Sequence, residues 1–324
     1  NFKKSEWYLM RKTILGLFDL ELICLKRTAI AIAILLSTAL TACITQDTPS
    51  NVETNSQTTI LMTLKKALTF HASFNNGLDA DFSLGDKKIY TAPSYNELEK
   101  AKTGIHNPEI ILAVGKHNHG SALKFQNKNK SALFYRAENN VAFSNQNWSG
   151  TLSFWIKLIP GEDLERDYCD PVQVTDKSYN NSAIWIDLSA DCSPGQIRLG
   201  AFGILDNWNP GNIPNDKNPA FQKHLVVVEN PPLKNDVWTH ILITYLNLGS
   251  STGGTTGLYL NGIFQGQTDL IKEPFEWDLA KGTLRLGVNY TGFLDEISVF
   301  NRPLTNREIG ELYQFKLGAS VLHP

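Results

Sequence analysis

Asp295 and Glu296 stand side by side in "GFLDEISVF" (292–300), a run that Phe293, Ile297 and Val299 otherwise mark as a strand. Adjacent carboxylates are hard oxygen donors for a cation, or an acid and a base for proton transfer. Either role needs partners, because a carboxylate is costly to bury alone. Alternation along a strand sends neighbours to opposite faces. Asp295 is therefore expected inward, bracing a turn, and Glu296 outward, toward solvent or a basic neighbour. An inward Asp295 either joins a cation site or accepts hydrogen bonds from loop backbone amides.

Trp208 lies in "LDNWNPGNIPNDKNPAFQ" (205–222), a long loop crowded with Asn, Asp, Gly and Pro. Long ordered loops tend to carry function. A tryptophan ring among amides and carboxylates suits a sugar: the ring stacks on its apolar face while Asp206, Asn207 and Asn209 take hydroxyls. This loop is the first candidate for a ligand site. A second is "DYCDPVQVTDKSYNN" (167–181), with Tyr168, Asp176 and Tyr179. The alternative for both is a surface loop braced by its own prolines. His117 and His119 in "KHNHG" are spaced for a transition metal but have no third ligand nearby, and read as solvated turn residues. His71 and His240 fall inside strands, where a hydrogen-bonded structural role is the default.

The front of the chain carries an address. Lys26 and Arg27 precede an apolar run, Thr28 to Leu40, and small residues then lead to Cys43, the anatomy of a secretory signal. The run is shorter than the roughly 20 residues that span a bilayer. "LTAC" (40–43) resembles the bacterial lipobox, which implies cleavage before Cys43 and lipidation of its thiol. Ile44, in place of a retention aspartate, implies the outer membrane. Residues 1–24 read as an over-extended start, 1–42 as signal region and 43–66 as the lipidated cysteine with a polar tether. Residues 67–318 are read as the folded domain and 319–324 as a tail. In the oxidising compartment this implies, Cys169 and Cys192, flanking a hairpin that turns near Tyr179, are candidates for a disulfide.

From Leu68 on, apolar residues recur with period two in "LTFHASF" (68–74), "GTLSFWIKL" (150–158), "SAIWIDLS" (182–189), "QIRLGAF" (196–202), "HLVVVE" (224–229), "WTHILITYL" (238–246), "TGLYLNGIFQGQ" (256–267), "TLRLGV" (283–288) and the run that holds Asp295. Asn261-Gly262 between two such runs is a hairpin signal. Short strands at this spacing predict an all-β, two-sheet antiparallel sandwich of jelly-roll type. One short C-terminal helix is predicted after Thr305, which with Glu308 forms a capping-box pattern and sets Ile309, Leu312 and Tyr313 on one face. A net charge of −2 with no basic excess argues against nucleic acid as a partner.

"FHASFNNGLDADFSLGD" (70–86), "GTLSFWIKL", "DVWTHILITY" (236–245), "TGLYLNGIFQG" (256–266) and "GFLDEISVFNRPLTNREI" (292–309) resemble, in order, the signatures of laminin-G-like modules of the concanavalin A-like superfamily. The resemblance spans about Leu68 to Leu317. It implies adjacent first and last strands, with a structural Ca²⁺ joining the early loop to the final strand. Asp295 would then be the carboxylate, and Asn75, Asn76 and Gly77 the loop, with asparagines where aspartate is common. Related glucanases carry Glu-x-Asp-x-x-Glu on one strand, and no such run is present: "GEDLERD" (161–167) and "EPFEWD" (273–278) are off register. Gln196 and Arg198 share a face, as in jelly-roll lyases, but lack a companion histidine. The expectation is a non-catalytic, membrane-tethered binding lipoprotein that recognises glycan or, alternatively, another envelope or extracellular protein.

Overall fold

The computed structural model describes residues 49–116, 120–128, 130–165, 167–190, 195–315 and 318–323. The chain divides into two units, Asn1–Ser56 and Gln57–Pro324. The signal segment, Cys43, His117, His119 and Cys192 lie outside the described residues.

Among the described residues seventeen strands form two antiparallel sheets. The first runs β15 (Ile263–Gln267), β14 (Thr255–Leu260), β13 (Thr239–Leu248), β8 (Trp148–Lys157), β17 (Gly292–Phe300), β1 (Leu68–Ala72) and β2 (Phe82–Ser83). In the same sheet β6 (Ser121–Phe125) pairs with β17, and β5 (Ile110–Val114) with β6. The second runs β12 (Leu225–Val228), β11 (Gln196–Phe202), β10 (Ala183–Ser189), β9 (Cys169–Thr175), β16 (Thr283–Val288), β7 (Ala132–Arg136), β3 (Ile89–Ala92) and β4 (Lys102–Thr103).

Every run read as a strand from its alternation is one, and β1 lies beside β17 as expected. Asn261 and Gly262 both take positive φ (51° and 78°) and close the β14–β15 hairpin. The shorter β3, β5, β6 and β7 were not legible, since they alternate weakly between charged and glycine-bearing turns. Alternation also fixes the core. Phe154 and Ile156 of β8, Ile241 and Ile243 of β13, and Ile297 and Val299 of β17 meet Val172, Val174, Ile184, Ile186, Leu284 and Leu286 of the second sheet.

The stretch read as a polar tether is corrected. It is helical from Pro49 to Ala67 (α1), and the supposed tail is a 3₁₀ turn, Gly318–Leu322. Ile60, Leu64 and Ala67 recur about one helical turn apart. They pack with Leu242 and Phe300, from the outer face of the first sheet, and with Ile309 and Leu312 of α2 (Asn306–Gln314). Ala319 and Leu322 join the same cluster. Few apolar side chains suffice, because the sheet supplies the rest of the apolar surface. Among the described residues no helix is long and apolar enough to cross a membrane.

The cap of α2 locks this layer. Thr305 and Glu308 form the predicted capping box. Arg302 donates to both oxygens of Glu308 (2.6 and 2.9 Å), and the Thr63 hydroxyl of α1 donates to it as well (2.8 Å). The Arg302 guanidinium, helped by the Thr305 amide and the Thr63 hydroxyl, holds the Glu308 carboxyl down at about 2. A depressed carboxylate stabilises fully above its ordinary range, and that stability is lost as pH falls through the folded value. Glu308→Gln should therefore cost about 1–2 kcal/mol near neutral pH. In thermal melts the wild-type advantage should shrink below about pH 4 and vanish near pH 2.

Candidate functional site

The outer face of the second sheet is built from side chains that alternation turns away from the core. In one rung Arg285 of β16 lies opposite Gln173 of β9, which lies opposite Trp185 of β10, which lies opposite Gly200 of β11. In the next, Val288 pairs with Asp170, and Asp187 with Arg198. The ladder slips between them: Ile186 pairs with Val172 and Leu188 with Cys169, so Asp170 and Pro171 together oppose Asp187. This bulge turns Asp170 outward beside Asp187.

The groups are tightly paired. Arg198 donates Nε and Nη2 to the two oxygens of Asp187 (2.9 and 2.5 Å), and its guanidinium lies 3.4 Å from the centroid of the Tyr168 ring. Gln173 donates to Asp170 (2.7 Å) and accepts from Arg285 (2.8 Å). Burial pushes the Asp187 carboxyl up to about 6, against the pull of Arg198. Burial, then the charge of Asp187, pushes Asp170 well above the usual range.

Above these rungs opens a pocket of about 730 Å³. Trp185, only 1% exposed, forms its floor, and its indole N–H donates to the Tyr179 carbonyl (2.6 Å). The ring lies flat across β11 because Gly200 faces it. A Cβ there would sit 2.2 Å from the indole. Tyr168 and Tyr179 are exposed at the rim, and Asn215, Phe221 and Gln222 of the long loop wall one side.

The ligand set expected around Trp208 is not assembled. Trp208 is 5% exposed, closing the short helix Leu205–Trp208. Its ring packs on Phe202 and Phe221, and its indole N–H donates to the Asn180 carbonyl (2.9 Å). Asn209 staples its own loop through both hydrogen bonds to Ile213, while Asp206 and Asn207 face solvent. The tryptophan is the wall's anchor, since a large ring beside the sheet gains more from burial than from water. The second candidate loop does reach the pocket, through Tyr168 and Tyr179. Asp176 does not line it and accepts from the Asp278 amide instead (2.7 Å). Asp170, Gln173, Asp187 and Arg285 were missed. The outward register of the strands "CDPVQVT" and "AIWIDLS" was their only signal.

Asp295 is buried, 2% exposed, and accepts from the amides of Lys116 and Glu296 (both 2.8 Å). Glu296 is also buried, which corrects its expected outward position. A bulge in β17 gives it a φ of 52° and turns it toward His71 (2.9 Å) and the Ala319 amide (3.0 Å). Gly318, at φ 64°, lets the C-terminal turn lie against that carboxylate, where a Cβ would sit 1.6 Å from Oε2.

The residues expected to bind calcium do not fit the ion. Asn75 accepts from the Ser121 amide (2.9 Å), Asn76 donates to Asp81 (2.9 Å), Gly77 supplies only a turn (φ 122°), and Asp295 spends both oxygens on backbone amides. Lys116, whose ammonium lies 3.6 Å from the Trp155 ring centroid, supplies the nearby positive charge. Among the described residues no cluster of three or more His, Cys, Asp or Glu is disposed to hold a metal. The early loop and the final strand are instead joined by the β5–β6 loop, which reaches Asp295 through Lys116 and Asn75 through Ser121. Among the described residues Cys169 is a buried free thiol whose S–H points at the Leu188 carbonyl (3.6 Å). Burial pushes its pKa up. The expected partner, Cys192, lies outside the described residues.

Two face-to-face antiparallel sheets, with terminal strands adjacent and a walled pocket outside one of them, define a jelly-roll sandwich. The chain belongs to the concanavalin A-like lectin/glucanases superfamily, whose family model matches residues 134–310. No curated protein matches the chain. Among solved structures it resembles the ligand-binding domain of botulinum neurotoxin serotype D in complex with N-acetylneuraminic acid (13% identity, TM-score 0.51, 79% of this chain and 52% of that one). It also resembles the receptor-binding domain of botulinum neurotoxin D (14%, 0.50, 78% and 53%). Domain 4 of the extracellular arabinanase of Geobacillus stearothermophilus, in complex with arabinotriose, aligns at 19% identity and TM-score 0.49 over 76% of this chain and 98% of that one. The chain spans about half the length of the neurotoxin chains, and at these identities the likeness is one of fold.

Two outcomes follow from this geometry. Trp208→Ala should lower unfolding free energy by about 3–5 kcal/mol in denaturant titrations, as expected of a buried tryptophan. A ligand of the folded state raises thermal stability. Calcium or a chelator should therefore leave the melting temperature unchanged, and a rise with calcium would mean that Asp295 exchanges its amide donors for the ion.

Proposed function

We propose that the protein is a non-catalytic glycan-binding module, lipid-anchored at Cys43 and displayed from the outer membrane, with the pocket on the second sheet as its binding site. One observation carries the reading: a pocket of about 730 Å³ combines two exposed rim tyrosines with a ladder of hydrogen-bonding groups. Volumes of roughly 300–1,000 Å³ with a few convergent polar groups are the usual form of a small-molecule site. Sugar rings stack on aromatic faces and exchange hydroxyl hydrogen bonds with carboxylates and amides, and both kinds of group line this pocket.

The non-catalytic part of the reading rests on saturation. Asp187 is clamped by Arg198 and Asp170 is held by Gln173, so neither is set as an unencumbered base. The lipid anchor rests on the signal anatomy that ends at Cys43.

Tyr179→Ala should leave the fold intact, since Tyr179 is 43% exposed. It should weaken glycan binding by about 1 kcal/mol, roughly fivefold, in isothermal titration calorimetry. Unchanged affinity in both Tyr179→Ala and Tyr168→Ala would remove the pocket from consideration.

A further inference from the structure

We propose that this pocket selects neutral glycans and rejects those bearing carboxylates, such as uronic and sialic acids. The inference rests on the glycan-binding reading above and names its ligand class. Recognition of an acidic sugar requires a cation with open donors, best an arginine fork that meets the carboxylate with two parallel hydrogen bonds. Among the described residues the pocket lining holds one guanidinium, that of Arg198, against the carboxyl groups of Asp170, Asp187 and Asp216. The fork of Arg198 is already closed on Asp187, and Tyr168 covers a face of the same group.

The neighbouring guanidinium is equally committed. Arg285 donates to Gln173 (2.8 Å), to the Lys177 carbonyl (2.7 Å) and to the Thr283 hydroxyl (3.1 Å), and Tyr95 lies 4.5 Å away along its ring axis. An incoming carboxylate would meet Asp187 and the exposed Asp216 with no free fork to receive it, and like charges so placed repel strongly. A neutral sugar meets the opposite situation. Its hydroxyls donate to Asp187 and Asp216, accept from Asn215, Gln222 and Asn289 on the walls, and leave every existing ion pair closed.

Affinity electrophoresis of the full chain tests this at low salt, where charge effects are largest. The probes are neutral polysaccharides (xylan, arabinan, galactan, mixed-linkage β-glucan) and acidic ones (polygalacturonate, alginate, polysialic acid). At least one neutral polysaccharide should retard the protein, with every acidic one weaker by on the order of tenfold or more. The Tyr179→Ala variant should weaken the neutral retardation roughly fivefold. Equal or stronger retardation by an acidic polysaccharide would overturn the selectivity while leaving the glycan-binding reading standing. Failure of every polysaccharide to retard the chain would overturn the reading and the inference together.

A second variant probes the cause. Asp187→Asn releases the Arg198 fork, so a soluble, cooperatively melting D187N protein should gain retardation by polygalacturonate. A folded D187N protein that still ignores acidic polysaccharides would show that the closed fork is not what excludes them.

Discussion

A carboxylate removed from water must be given donors, and the places where this chain does so are the places where its sheets depart from regularity. Each bulge adds one residue to one strand of a ladder. In β17 the extra residue brings Glu296 to the outer face that Asp295 already occupies, where backbone amides and His71 receive them. In β9 it turns Asp170 outward beside Asp187. The first bulge ties the sandwich's last strand to the β5–β6 loop and the C-terminal turn. The second concentrates polar groups on one patch of the opposite sheet. Unpaired, any of these acids would cost several kcal/mol, so the bulges and their donors stand or fall together.

The pocket is preorganised by contacts that do not themselves face a ligand. Gly200 admits the Trp185 ring, and the Trp185 indole holds the backbone at Tyr179. Asn215 donates to the Tyr179 hydroxyl (2.7 Å), and Trp208 pins the wall from behind through Phe202 and Phe221. A rim fixed in this way loses less side-chain freedom on binding, which is where a shallow polar site gains affinity. The same economy explains why the most conspicuous loop tryptophan serves as scaffold while two tyrosines stand at the rim.

The outer face of the first sheet is treated differently. Leu68, Leu242 and Phe300 project from it beside buried polar groups such as His71 and Glu296, and the apolar ones are covered by α1, α2 and the final turn. The ion pair of Arg302 with Glu308, shared with Thr63, fastens that cover at its edge. One outer face is thereby sealed and the other left open, and the open one carries the pocket.

Period-two alternation, the Asn261-Gly262 turn and the Thr305–Glu308 cap are local, so composition and spacing determined the two-sheet fold, the core faces and the terminal helix. The adjacency of β1 and β17 was legible because five signatures occur in a family's order. The destination of Glu296 and Asp170 was not, because alternation assumes a regular ladder and a bulge inverts it without any fixed residue signature. Trp208 was misplaced for a related reason: a loop's composition marks it as polar, but only packing decides which of its rings turns inward. The helix at Ile60, Leu64 and Ala67 escaped notice because its apolar face is narrow and acquires meaning only against the sheet it covers. Sequence thus settled what each strand must bury among its own neighbours, and tertiary structure decided how charges and rings from distant strands were brought together.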